Sequence, residues 1–204
     1  MPRVRSETRN ALVENAMHVF WRKGYAATSV SDLVEATGVG RGALYSDFGG
    51  KKELFLACLN EYASSAAGPG LAILEEPDAD FSTVRRFVEF QADRLDRIAR
   101  PLPGCFMANT LGEDIVRDTD ISQPVTHHYQ RLTRAFERAF ENEADLRGVE
   151  LSSAATRQLA QTATIAVQGL WSFARTARSM DEVRSAAIGV LETLERSLGC
   201  DVSC

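Results

Sequence analysis

Only four cysteines occur in 204 residues, Cys58, Cys105, Cys200 and Cys204; their spacing shows no metal-site pattern, and in a cytoplasmic chain they are expected to be mostly reduced. Nowhere does an apolar run approach the ~18 residues that a membrane span needs. The opening MPRVRSETR lacks the apolar region of a secretory signal. A cytoplasmic protein with no membrane partner is therefore expected. No segment sustains the period-two alternation of a strand, which leaves an all-α fold. Also missing are H-E-x-x-H, G-x-S-x-G and a phosphate-cradling glycine loop. His127 and His128 with Asp118, Asp120 and Cys105 come nearest to a metal or nucleophile set. Adjacent histidines on a helix project about 100° apart, however, and rarely serve one ion. The expectation is no enzymatic activity, no cofactor and no metal.

What is present is an ordinary globular composition, 45% hydrophobic and 25% charged, in a chain long enough for a small module and a larger domain. The net charge of −5 would argue against a polyanionic partner if it were spread evenly. It is not. Residues 1–52 carry Arg3, Arg5, Arg9, Arg22, Lys23, Arg41, Lys51 and Lys52 against Glu7, Glu14, Asp32, Glu35 and Asp47, a local net of +3 that leaves −8 for the remainder. One end is suited to phosphates and the rest is not. The expected domains are accordingly 1–52 and 53–204.

The stretch from Thr28 to Lys52, TSVSDLVEATGVGRGALYSDFGGKK, reads as two short helices around a glycine turn. Ser29 and Asp32 form an S-x-x-D capping box, which starts a helix with Val30, Leu33 and Val34 on one side. Gly38 can enter the left-handed region and stop it. In the second helix Leu44 and Phe48 face inward, leaving Arg41, Gly42, Ala43, Tyr45 and Ser46 for other faces. Small residues with one Arg allow a helix to approach base edges closely. Gly42 costs about 1 kcal/mol of helix stability relative to Ala, and fitting a groove is one reason to accept it. A tight helix pair inside a helical core would satisfy the same local pattern.

The flanks favour the DNA reading. Leu12, Val13, Ala16, Val19 and Phe20 form an apolar helical face ending at Gly24-Tyr25, and Lys51, Leu54, Phe55 and Leu59 open another helix. Together Leu12 to Leu59 resembles the DNA-binding domain of TetR-family repressors, through Ala16, Phe20, Gly24-Tyr25, Thr28-Ser29-Val30, Asp32-Leu33, Gly38-Val39, Leu44-Tyr45, Phe48, Lys51 and Leu54. The resemblance implies a double-stranded, palindromic DNA operator as partner, with contacts from Ser29, Ser31, Arg41, Gly42, Ala43, Tyr45, Ser46 and Lys51. Arg41 suits a guanine edge and Ala43 a thymine methyl, while Tyr45 and Lys51 match the family's phosphate clamps. Asp47 stands where the family often has His or Tyr. Lys52 replaces the family's usual acid and is expected to add a phosphate contact. The arm carrying Arg3, Arg5 and Arg9 is expected to be disordered before the first helix; basic arms of this kind reach grooves or phosphates, though many termini are basic for no such reason.

The remainder reads as further helices, about nine in all. A fourth is expected from Lys51 to Ala66, stopped by Gly68-Pro69-Gly70. Others follow over Phe81–Arg100, Cys105–Glu113, Ser122–Asn142, Ser153–Ser179 and Met180–Leu198. In TetR-like proteins the last two pair with their mates as a homodimer interface, and the small and aliphatic residues of this pair suit that use.

The resemblance also implies a small-molecule effector in the C-terminal domain, of hydrophobic or aromatic character. Candidate lining residues are Cys58, Tyr62, Phe87, Phe90, Gln91, Cys105, Phe106, Met107, Asn109, Tyr129 and Trp171, each of which also suits a packed core. The segment Gly104-Cys105-Phe106-Met107-Ala108-Asn109 is similar to a signature of a TetR subgroup, some of whose members sense electrophiles or oxidants through a cysteine. If Pro103-Gly104 opens a helix, Cys105 at its start would favour the thiolate; a buried, inert thiol fits the same residues. Cys200 and Cys204 suit a frayed tail. A DNA-binding protein with no ligand is the remaining alternative.

Overall fold

The computed structural model describes residues 2–98 and 100–199, with residues 2–8 as backbone alone; Cys200 and Cys204, read above as a frayed tail, lie outside the described residues. Every regular element among these is helical: α1 (Pro2–Lys23), α2 (Val30–Thr37), α3 (Arg41–Phe48), α4 (Lys51–Glu61), a π-helical stretch (Tyr62–Ala67), α5 (Gly68–Leu74), α6 (Phe81–Asp96), α7 (Phe106–Leu111), a 3-10 turn (Asp114–Arg117), α8 (Thr119–Arg147), α9 (Ser153–Phe173) and α10 (Met180–Gly199). The described residues are all-α, and among them taking α4, the π stretch and α5 as one run gives nine helices, the number expected. It packs as two units, Met1–Ala67 with Phe106–Thr126, and Gly68–Cys105 with His127–Cys204.

In the first unit, α1 buries Leu12, Val13, Ala16, Met17, Phe20 and Trp21, a stripe at helical spacing. Helix begins at Pro2 rather than near Leu12, so helix replaces the disordered arm expected there. Pro is favoured in a first turn, where its missing N–H costs nothing, and the next eight residues contain no Gly. The side chains of Arg3 and Arg5 fall among those not described, whereas the Arg9 guanidinium lies 4.6 Å over the Phe48 ring. Phe55 of α4 forms the centre of this core. It is fully buried and meets Phe20 and Tyr25 edge-on at 5.0 Å and Phe106 at 5.5 Å.

The fourth helix does not stop before Gly68-Pro69-Gly70. The π turn of Tyr62–Ala67 leads into α5, and Pro69 falls in the first turn of α5, where a missing N–H is tolerated. The hydroxyls of Ser64 and Ser65 donate to the Glu61 carbonyl at 3.0 and 2.8 Å, satisfying an acceptor where the ladder widens. In the second unit, Gly70 serves packing: a Cβ there would lie 3.1 Å from the Gln91 side chain and 3.4 Å from Phe87.

The second unit buries Phe81, Phe87, Phe136 and Phe140, with Phe87 edge-on to Phe136 at 5.9 Å. α8 runs past the expected Asn142 to Arg147 and stops at Gly148, whose φ of +66° admits the left-handed cap while the Val149 amide reaches back to the Ala144 carbonyl at 2.9 Å. His128 on this helix is buried, and burial pushes its pKa down to about 4, so it is neutral at pH 7. His127 beside it is exposed. The adjacent histidines therefore face different surroundings, as their helical spacing requires.

Candidate DNA interface

α2 begins where the capping box places it. The Ser29 hydroxyl accepts from the Asp32 amide at 3.1 Å, and the Ser29 amide donates to the Asp32 carboxylate at 2.8 Å. The Lys23 ammonium also reaches that carboxylate at 2.8 Å, and with the Ser29 bonds holds its pKa well below the usual carboxylate range. Gly38 then adopts φ +68° and its amide closes on the Val34 carbonyl at 2.9 Å. Three residues later α3 starts.

α3 buries Leu44 and half-buries Phe48, leaving Arg41, Gly42, Ala43, Tyr45, Ser46 and Asp47 exposed. Ser29 and Ser31 are exposed as well. Arg41 donates to the Ser31 hydroxyl at 3.3 Å, which ties the start of α3 to α2. A Cβ on Gly42 would meet nothing within 4 Å, so packing in the free protein does not require glycine there. Ser46 donates to the Ala43 carbonyl at 3.0 Å and to Asp47 at 3.2 Å. Tyr45 is half exposed. All eight residues proposed for DNA thus sit on two neighbouring helices and the start of a third.

Lys51 opens α4 with its ammonium 4.2 Å over the Tyr25 ring, partly buried, and burial lowers its pKa. It stands at a helix start, where backbone amides favour an anion. Lys52 has partners that its sequence context does not indicate: its ammonium binds Asp118 and Asp120 at 3.0 Å each, so its charge is met within the protein. Those pairings raise its pKa. Sequence reading missed these partners, and likewise the Glu113 carboxylate that accepts from the Tyr25 and Ala26 amides, because neither has a local signature.

The effector candidates fall in both units. In the first, Cys58 is buried with its thiol directed to the Val13 carbonyl at 3.5 Å, and burial pushes its pKa up. Tyr62 is buried edge-on to Trp21 at 5.1 Å and Phe106 at 5.7 Å, Met107 is buried, and Asn109 donates to the Trp21 carbonyl at 3.4 Å. In the second, Phe87, Gln91, Cys105 and Trp171 are buried, Phe90 stands 36% exposed on the outer side of α6, and the Tyr129 hydroxyl is 3.4 Å from Gln168. Cys105 directly precedes α7. On α9 and α10 the large apolar residues left exposed are Ile165, Phe173 and Ile188.

The family model described as bacterial regulatory proteins, tetR family, matches residues 12–58. The transcriptional repressor ComR of Escherichia coli (strain K12) is 31% identical over 184 residues, which cover 88% of this chain and 85% of its own. A cysteine mutant of the TetR family regulator CifR, solved with 26-base-pair operator DNA, has a TM-score of 0.74 at 20% identity and covers 94% of this chain and 96% of that one. Reduced NemR of E. coli has a TM-score of 0.72 at 18% identity, covering 90% and 95%. At those identities the two structures speak for the fold, whereas ComR matches over most of both chains. With its exposed helix-turn-helix face and a relative this similar, the chain belongs to the TetR family of helix-turn-helix transcriptional regulators.

Proposed function

We propose that the protein is a cytoplasmic, homodimeric repressor that reads a palindromic operator through α2 and α3 and is released by a small hydrophobic or aromatic effector. Residues 1–52 supply the DNA contacts, and residues 53–204 supply the effector site and the dimer surface. The observation that carries this reading is the face of α3, where an exposed Arg and Tyr flank glycine and alanine on a helix anchored by Leu44. Small side chains let the backbone into a major groove, and Arg41 then reaches base edges with its fork. A single head offers few contacts, so a twofold pair on half-sites ~34–36 Å apart, or a larger multiple, supplies affinity. ComR, a repressor, and CifR, solved with operator DNA, support repression and operator binding by analogy.

Replacing Arg41 by Ala is expected to cost ~1–3 kcal/mol on the selected operator and to relax one base preference. Lys51→Ala should instead weaken all duplexes alike and flatten the dependence of log K on log salt by about one unit. Fluorescence anisotropy across a salt series separates the two; full retention of binding by both variants would sink the assignment.

A second reading makes Cys105 a thiol sensor, favoured by fold neighbours studied as a cysteine mutant and in a reduced form. Cys105→Ser should then keep operator binding and lose release by N-ethylmaleimide. Unchanged release by that reagent rules this reading out.

A further inference from the structure

The amides of Tyr25 and Ala26 donate to the two carboxylate oxygens of Glu113 at 3.0 and 2.9 Å. These amides lie in the turn between α1 and α2. A carboxylate acceptor makes both bonds charge-assisted. Gly24, at φ +83°, precedes them, and a Cβ there would stand 3.1 Å from both carboxylate oxygens. The turn and the carboxylate are thus fitted to each other. Tyr25 carries the arrangement outward: its ring packs edge-on against Phe55 at 5.0 Å and lies under the Lys51 ammonium at 4.2 Å. A lysine held over a ring keeps less of its rotamer freedom than one loose in solvent.

We propose that Glu113 is a positioning residue for DNA binding: its carboxylate fixes the turn at residues 24–26, the turn fixes the Tyr25 ring, and the ring holds Lys51 where the start of α4 meets an operator phosphate. The inference rests on the assignment of Lys51 to phosphate made above. It also fixes a sign. A negative charge on a DNA-reading unit repels the duplex, so electrostatics alone would have binding tighten when Glu113 is neutralised. Positioning requires the opposite.

The test is a double-mutant cycle on the full chain, read by anisotropy with a labelled duplex that the unmodified protein selects from a randomised library. Glu113→Ala should weaken binding about tenfold, and Glu113→Gln, which keeps one acceptor, by less. The double variant Glu113→Ala with Lys51→Ala should bind no more weakly than Lys51→Ala alone, because one effect acts through the other. General loosening of the fold would instead add its loss to that of Lys51. Tighter binding on removal of the charge, additive losses, or unchanged binding by both Glu113 variants while Lys51→Ala weakens it would each overturn the proposal and leave the phosphate assignment standing. No effect of Lys51→Ala would overturn both. Should Glu113→Ala fail to fold, the same cycle with Glu113→Gln decides.

Discussion

Truncating Phe55 to Ala is expected to destabilise the protein by ~3–5 kcal/mol, a large share of the ~5–15 kcal/mol that holds a typical domain. Phe55 is fully buried, and its ring meets Phe20, Tyr25 and Phe106 edge-on at 5.0–5.5 Å. Those three rings come from α1, the turn after it and α7, so a cavity at Phe55 removes contact from each of them at once. Few side chains here could collapse into the space, because the neighbouring Leu54, Cys58 and Leu59 are also fully buried. Phe55→Leu keeps most of the volume and should cost less than about 1.5 kcal/mol. Chemical denaturation of both variants measures this. A loss under 1 kcal/mol for the alanine variant would show that the aromatic cluster does not hold the reading unit together.

The second large effect is expected at Ile165 and Ile188. They are 72% and 54% exposed on α9 and α10, and exposed Gly169 and Phe173 continue the α9 stripe at spacings of four. An apolar stripe with a glycine in it suits close approach of a twofold mate. Replacing both isoleucines by Asp should give a monomer in sedimentation equilibrium. Each lone head would then bind without its partner, and operator affinity should fall by ~10²–10⁴-fold, the gain that two linked heads share. Substitutions at such exposed positions leave a folded monomer nearly unchanged, within about ±0.5 kcal/mol, so circular dichroism should stay that of a helical protein. A dimer of unchanged affinity would place the interface elsewhere.

The helix-turn-helix was legible because its rules are local. Ser29 and Asp32 lie three residues apart, Gly38 follows its helix directly, and the inward Leu44 needs only helical periodicity, so the structure returns each where the sequence placed it. Two local rules misled. Gly68-Pro69-Gly70 has the composition of a breaker, but a π turn and a first-turn proline absorb it, and Gly70 is there to let Gln91 approach. The N-terminal arginines lack an apolar face, yet nothing in that stretch breaks a helix. What was illegible is long-range. Lys52 finds Asp118 and Asp120 66 and 68 residues away, and Glu113 finds Tyr25 at a separation of 88. Such pairings have no periodicity to betray them. Composition likewise picks out the aromatic residues of the middle helices but cannot separate a ring on the outside of α6, such as Phe90, from a packed one such as Phe87.

The central claim, that α2 and α3 of two paired chains read a twofold DNA site, is tested most directly by selecting duplexes from a randomised library with the full chain and again with Arg41→Ala. The unmodified protein should enrich one inverted repeat, bound as two chains per duplex, and Arg41→Ala should lose preference at one symmetric pair of positions while binding elsewhere in the repeat is kept. Enrichment of no sequence, or of a site without twofold symmetry, would contradict it.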